Sequence, residues 1–338
     1  MSLMKNVLYI GNALSSKGKN KSVIETLSAC LKEIYTVKIA SKKSNKILRL
    51  LDMMRLVLVN RSKTDFVLID TYSTINFYYA LVISQLCRFF KIRYIPILHG
   101  GNLENRLKHN PKLSSVIFNN AYKLVAPSHF LKNVFESYGY SNVFYIPNCI
   151  EIKNYEFRNR YIDTIRLLWV RSFSAIYNPE LAIFILESLL TQGYKTELTM
   201  VGPEIDGSMA KVKSLAINKN LKIDFTGKLP KPEWIERSKS HNIFINTTNY
   251  DNMPVSVIEA MALGIPVVST NVGGLPFLIS DNEDGLLVSP NNVDAMVNAI
   301  IKLKNNPTLK DEIVSKARKK VEQFDWEVIK PKWEACLT

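Results

Sequence analysis

Apolar residues in this chain fall into short, nearly unbroken runs, separated by longer stretches in which they recur at helical spacing. In the first half the runs are "NVLYIG", "TVKIAS", "DFVLID", "RYIPILHGG", "YKLVAPS" and "NVFYIPN". The cycle then restarts with "IRLLWVRS", "TELTMVGP", "KIDFTGK", "NIFINTT", "IPVVST" and "DGLLVSP". Continuous apolar strands alternating with helix-length segments predict parallel sheets covered on both faces. Two such series predict the α/β class, as two doubly wound domains. The break is expected in "NCIEIKNYEFRNRYIDT", residues 148–164, which is polar, charged and fits neither pattern. Ligands of open α/β sheets bind beyond the carboxyl ends of the strands, so two facing domains would hold the site in a central cleft.

Composition adds limits rather than detail. The 338 residues suffice for two cores, and 47 % apolar with 22 % charged residues is ordinary for a globular chain. The start "MSLMKNVLYIGN" is not expected to be a signal peptide. No apolar run approaches the roughly 18 to 20 residues of a membrane span. Cys30, Cys87, Cys149 and Cys336 are far apart and form no CxxC pair, so neither disulfides nor a zinc site is predicted. A reducing cytoplasm is the expected location. The net charge of +14 is one-sided: residues 1–154 hold 22 Lys+Arg against 8 Asp+Glu, and residues 155–338 hold 22 of each. That asymmetry points to an anionic partner for the first half, a membrane surface or an acidic substrate. Nucleic acid is not an expected partner.

Several loops after predicted strands carry chemistry. "GNALSSKGKNKS", Gly11 to Ser22, is a glycine-bearing strand-to-helix turn of the kind that lets backbone N–H groups approach phosphate. It matches neither GxGxxG nor the P-loop, which disfavours a nicotinamide oxidoreductase. His99, Gly100 and Gly101 follow an apolar strand, where an imidazole can meet a hydroxyl and glycines admit a ligand. His109, His129 and His241 have no partner at metal-ligand spacing, so no metal is assigned. Arg171 and Lys228 each stand at the end of a second-half strand and form a plausible anion clamp.

The stretch "DNMPVSVIEAMALGIPVVST", Asp251 to Thr270, is the most informative. Pro254 suits the first helical position with Met253 as N-cap, leaving the amides of Val255 and Ser256 for an anion. Glu259 is the only charged residue between Met253 and Pro266, in a helix apolar all round and therefore buried. Two readings stay open from the residues alone. Glu259 pairs with a buried Arg or backbone amides, or it accepts hydrogen bonds from ligand hydroxyls.

"DNMPVSVIEAMALGIPVVSTNVGGLPFLISDNEDGLLVSP" resembles the signature of retaining glycosyltransferases of family 4, with the GT-B fold of two Rossmann-like domains. "PSHFLKNVFESYGYSNVFYIPNCIE" resembles the family's segment ahead of the interdomain linker, and "HGG" its active-site histidine. The resemblance implies an acceptor-side domain over 1–155, rejoined by the last helix at about 325–338, and a nucleotide-sugar domain over 156–324. It implies that Glu259 holds the ribose hydroxyls and carries no protein countercharge. It also implies that Asp251 reads the donor sugar, and that Asn252, Met253, Pro254, Val255 and Ser256 meet sugar and diphosphate. Arg171 and Lys228 would take the diphosphate charge, His99 would lie near the transferred sugar, and Gly18 near the phosphates. Three positions depart from the family: Asp251 stands for a glutamate, Cys149 for a glycine, and Tyr177 or Asn178 where a lysine follows the arginine.

The implied reaction is transfer of a hexosyl group from a nucleotide-diphosphate sugar, a uridine diphosphate sugar being favoured, to an acceptor hydroxyl with retention. The leaving phosphate would take the acceptor's proton, without metal or other cofactor. Bacterial cell-surface polysaccharide or glycolipid synthesis is the expected setting, with a glycan or lipid-linked acceptor. "KKSNKILRLLDMMRLVLVNRSK", Lys42 to Lys63, reads as an interfacial helix that would hold the protein peripherally on the inner face of the membrane. "FYYALVISQLCRFFK" is a second aromatic candidate, and either segment could instead be a helix covering the sheet. The competing readings are a nucleotide-sugar epimerase of the same fold and a catalytically inactive GT-B binding protein.

Overall fold

Each of the twelve apolar runs contains a strand. The computed structural model describes residues 4–17, 22–100 and 102–338, and divides into one unit of Met1–Cys149 with Trp326–Thr338 and another of Ile150–Asp325.

In the first unit β1 (Asn6–Ile10), β2 (Thr36–Ala40), β3 (Phe66–Thr71), β4 (Arg93–Leu98), β5 (Leu124–Ala126) and β6 (Val143–Tyr145) form one sheet. Its order is β2-β1-β3-β4-β5-β6, and every pairing is parallel. Alternate residues supply the two faces, as the strand period requires. Val7, Tyr9, Phe66 and Leu68 pack under Ile24, Trp326 and Trp333, whereas Leu8, Ile10, Val67 and Ile69 pack under Met53, Val57, Phe77 and Ile83.

The second unit repeats the plan with β7 (Ile165–Val170), β8 (Thr196–Val201), β9 (Asp224–Gly227), β10 (Ile243–Asn246), β11 (Val267–Thr270) and β12 (Leu286–Val288). The order is β12-β11-β10-β7-β8-β9, again all parallel. Leu167 and Trp169 face the helices Pro179–Thr191 and Val293–Asn305, while Leu168 and Phe244 face Val255–Ala262 and Pro307–Glu322. In both sheets the winding reverses beside the first strand, between β1 and β3 and between β7 and β10. The carboxyl ends at such reversals are where open sheets take ligands.

The division between Cys149 and Ile150 lies ahead of the 155/156 boundary expected from the sequence. The reason is local: Ile150 and Tyr155 are buried in the second unit's core, and the Ile150 N–H donates to the Phe324 carbonyl at 2.9 Å. The final helix, Trp326–Cys336, belongs to the first unit. Trp326 Nε1 donates to Glu33 at 2.8 Å, and Lys123 Nζ donates to the Cys336 carbonyl at 2.9 Å.

The two amphipathic candidates separate. "KKSNKILRLLDMMRLVLVNRSK" forms the helix Lys46–Asn60, capped by Asn45, whose side chain accepts from the N–H groups of Ile47 and Leu48. It buries Met53 and Val57 and leaves Ile47, Leu48, Leu51, Leu58 and Val59 exposed. "FYYALVISQLCRFFK" forms Asn76–Phe89 and spends its apolar face on the core through Phe77, Tyr79, Ala80, Ile83 and Cys87, so it is a covering helix.

Candidate active site

At the reversal between β7 and β10, Arg171 directly follows β7 and Asp251 stands in the loop leaving β10. The two side chains form an ion pair, Arg171 Nη2 to Asp251 Oδ2, with only 11 % and 17 % of their side-chain surfaces exposed. The Tyr177 ring lies under the guanidinium, 4.4 Å from its carbon. Burial pulls the Arg171 guanidinium below its ordinary pKa, with Tyr177 opposing, so an added anion would repay part of that cost. Arg171 Nε is buried with no hydrogen-bond partner among the described residues.

Hydroxyl groups fix the loop that carries Asp251. Trp169 Nε1 donates to Thr247 Oγ1 at 2.9 Å, Thr247 donates to the Tyr177 carbonyl, and Thr270 donates to the Thr248 carbonyl at 2.6 Å. A glycine pair closes the other side. The Gly274 N–H donates to the Asp251 carbonyl at 2.9 Å, and a Cβ on Gly273 or Gly274 would overlap the carbonyl of Asp251 or Asn252. Asn252 is itself buried, its N–H held by Asp251 Oδ1 at 2.8 Å.

The helix Val255–Ala262 starts one residue later than expected. Pro254 has a helical φ of −69° but an extended ψ of 118°, so Pro254 rather than Met253 is the N-cap. A proline cap has no side-chain acceptor, and the Val255 and Ser256 N–H groups find none among the described residues. Ser256 Oγ is also buried and without a partner among those residues. Donors, a helix terminus and an unspent guanidinium edge therefore follow the carboxyl ends of two neighbouring strands, β7 and β10.

Glu259 does have a protein countercharge, contrary to the expectation from the sequence. Lys231 Nζ lies 2.5 Å from its Oε1, and Tyr155 Oη donates to the same oxygen at 2.7 Å. Lys231 also donates to Tyr155 Oη at 3.1 Å. Glu259 is 4 % exposed, and burial followed by its charge raises the Tyr155 pKa, keeping the phenol a donor. Both contacts fall on Oε1.

In the first unit the β1/β3 reversal holds a second cluster. Asp70 in β3 accepts from Tyr9 Oη at 2.8 Å and meets His99 Nε2, just past β4, at 2.8 Å. Both Asp70 and His99 are nearly fully buried, and Tyr72 stacks on the imidazole with centroids 4.9 Å apart. Burial and the Asp70 charge raise the Tyr9 pKa, which keeps its hydroxyl donating. A carboxylate only accepts, so the Asp70 contact places a proton on His99 Nε2. Gly11 makes room for this carboxylate, since a Cβ there would overlap Asp70 Oδ2.

The family model described as "Glycosyl transferases group 1" matches residues 152–320, half of the chain. The chain belongs to that family. Among curated relatives, the capsular polysaccharide biosynthesis glycosyltransferase CapM of Staphylococcus aureus is 27 % identical over 155 residues, 44 % of this chain and 40 % of CapM. The first three curated relatives are matched over only 21 to 40 % of their own lengths. Solved structures share the group 1 chain's fold end to end. The crystal structure of Anabaena HepE in complex with UDP and glucose has a TM-score of 0.79 at 16 % identity, covering 99 % of both chains. Sucrose-phosphate synthase of Thermosynechococcus elongatus reaches 0.82 at 17 % identity over 98 % of each. The two sheets described above are thus the GT-B architecture.

Of the residues singled out in the group 1 sequence, Arg171, Asp251, Asn252, Met253, Pro254, Val255 and Ser256 gather at the second sheet's reversal. Glu259 follows one turn along the same helix. Lys228 is exposed in the bend after β9, on the same carboxyl rim. Backbone hydrogen bonds from Arg171 to Val201 and from Gly202 to Gly227 mark that rim. Tyr177, not Asn178, takes the place beside the arginine, because the Asn178 side chain turns away to Asn291 at 2.7 Å. Gly18 and Gly101 lie outside the described residues. Sequence reasoning missed Asp70, Tyr9, Lys231 and Tyr155. Asp70 carried a readable signal, being the lone charge near the end of an apolar strand.

Proposed function

We propose that the chain transfers a hexosyl group from a nucleotide-diphosphate sugar to an acceptor hydroxyl, with retention of configuration, in the synthesis of a surface polysaccharide or glycolipid. The observation that carries this reading is that the buried Arg171 Nε and the Val255 and Ser256 amides have no hydrogen-bond partner among the described residues. Those donors suit a diphosphate whose charge grows as the glycosidic bond breaks. Asp251 orients the guanidinium through Oδ2, and Oδ1, which accepts from the Asn252 N–H, has a second lone pair for a sugar hydroxyl. Glu259 is anchored through Oε1 and offers Oε2 to the ribose. Lys228 adds charge at the rim, and His99 Nδ1 accepts from a hydroxyl of the transferred sugar. The acceptor attacks from the leaving-group face, and its proton passes to the departing phosphate.

The named relatives support the choice of substrates. HepE is described with UDP and glucose, and CapM by capsular polysaccharide synthesis, so a UDP sugar and a glycan or lipid-linked acceptor are proposed here. The helix Lys46–Asn60, with its exposed leucines beside Lys46 and Arg55, is proposed to rest on the anionic inner face of a cell membrane. No helix among the described residues is long and apolar enough to cross one.

The test is a thermal-shift screen with uridine, guanosine and adenosine diphosphate sugars, followed by an acceptor-dependent transfer assay with and without EDTA. Stabilisation by one donor class and transfer unaffected by EDTA are expected. No stabilisation by any donor, or donor turnover to an altered free sugar without acceptor, would overturn the reading.

A further inference from the structure

A second cluster of cations lies at the amino ends of the central strands of the second unit's sheet. The segment 158–161 leads into β7, and residues 239–242 lead into β10, so both lie at strand amino ends. β7 carries the chain about 20 Å from there to Arg171, at roughly 3.3 Å per residue. The two places are therefore distinct.

Between these segments is an open cavity of about 460 Å³, lined among others by Arg158, Arg160, Arg166, Lys239, Ser240 and His241, and by no acidic residue. Three of the cations have carboxylate partners outside the lining. Arg158 pairs with Glu156 at 2.7 Å, Arg166 with Asp163 at 3.1 Å and Glu197 at 3.6 Å, and Lys239 with Glu236. Arg160 differs. It is 8 % exposed, its Nη1 donates to the carbonyls of Arg158 and Leu263, and its Nε and Nη2 have no hydrogen-bond partner among the described residues. A buried guanidinium with two unspent donors and no carboxylate is costly unless an anion meets it.

The surrounding backbone is fixed in place. The buried Lys310 donates to the Arg160 carbonyl and to Asn159 Oδ1, both at 2.7 Å, and Asn242 Nδ2 donates to the Tyr161 carbonyl at 3.2 Å. Gly264 lets the Arg158 carbonyl lie close, where a Cβ would sit 2.6 Å from it. Burial, with Arg158 nearby, lowers the Arg160 pKa to about 10, and burial also lowers that of His241. Both shifts report burial disfavouring the charged form, and a bound anion would oppose them.

We propose that this cavity is a second anion site, separate from the donor site, that takes a phosphate monoester. Two unpaired N–H donors on one planar guanidinium match the fork of a phosphate group. The volume exceeds that of a bare ion and lies in the range of small-molecule pockets. Ser240 Oγ, which donates to the Arg237 carbonyl, lines it with acceptor capacity left for a ligand hydroxyl.

Isothermal titration calorimetry on the full chain tests this, with glucose 6-phosphate, inorganic phosphate and phosphatidylcholine vesicles doped with phosphatidic acid as probes. Saturable binding is expected, unaffected by saturating UDP and weakened about tenfold or more by R160Q and by the exposed R158E. Binding of glucose 6-phosphate above inorganic phosphate assigns a soluble ester, whereas binding only to the vesicles assigns a lipid headgroup. Failure of all three probes, displacement by UDP, or undiminished binding in R158E would overturn the proposal.

Discussion

Lys231 reaches the buried carboxylate of Glu259 at 2.5 Å, on the oxygen that Tyr155 also holds. Lys231 is 44 % exposed in its side chain, which limits what the pair contributes. Lys231→Met is expected to cost about 1 kcal/mol, a fall in Tm of about 2–4 °C. Glu259→Gln keeps the shape but weakens acceptance from hydroxyls. Its effect is expected mainly in donor KM, raised about tenfold, with kcat changed far less, as for a group binding a remote part of the substrate. Unchanged donor KM in Glu259→Gln would remove the ribose role.

Gly11 and Asp70 are coupled by space. Gly11→Ala pushes the Asp70 carboxylate off Tyr9 and His99, at an expected cost of about 1–3 kcal/mol. In the double variant with Asp70→Ala the clash has no partner, so the double variant should cost less than the sum of the two single variants. Urea denaturation of the four proteins measures the coupling. Strict additivity would mean that the glycine is not there for the carboxylate.

His241 makes stability fall on acidification. Burial is the main cause of its lowered pKa, opposed by its bond to the Arg237 carbonyl and by Asp224 and Glu197, and aided by the Arg237 charge. The unfolded chain therefore takes up a proton first as pH drops through about 6.5, and the folded state loses ground until its own lower pKa is passed. His241→Asn should flatten the urea midpoint between pH 7.5 and pH 5 relative to the parent chain. An identical pH slope in both would contradict the assignment.

The helix Lys46–Asn60 predicts membrane contact of a defined kind. Leu48, Leu51 and Leu58 share its exposed side with Arg55. Co-sedimentation with anionic vesicles is expected at low salt, weakened by salt and abolished in Leu48→Glu/Leu51→Glu. Equal binding to neutral vesicles, or none to anionic ones, would rule the surface out.

Strands buried on both faces were legible because such a strand is written locally, as in "FVLIDT", every residue of which is buried. The burial of Glu259 was legible for the same reason, but its partner was not. Lys231 and Tyr155 arrive from other loops, and nothing near Glu259 in the sequence marks them. The Asp70–His99 pair depended likewise on β3 lying next to β4, a fact of sheet order. The start of the Val255–Ala262 helix was misplaced by one residue because proline fixes φ and leaves ψ free, and here ψ is extended.

The last helix completes the first sheet, and this sets an order of events during synthesis. Val7, Tyr9, Phe66 and Leu68 present an apolar face that Trp326, Ile329 and Trp333 cover. A ribosome adding roughly 5–20 residues per second delivers those tryptophans many seconds after Cys149 has emerged. The unit that begins first is therefore finished last, and this face of its sheet lacks its tryptophan cover until the second unit has been made.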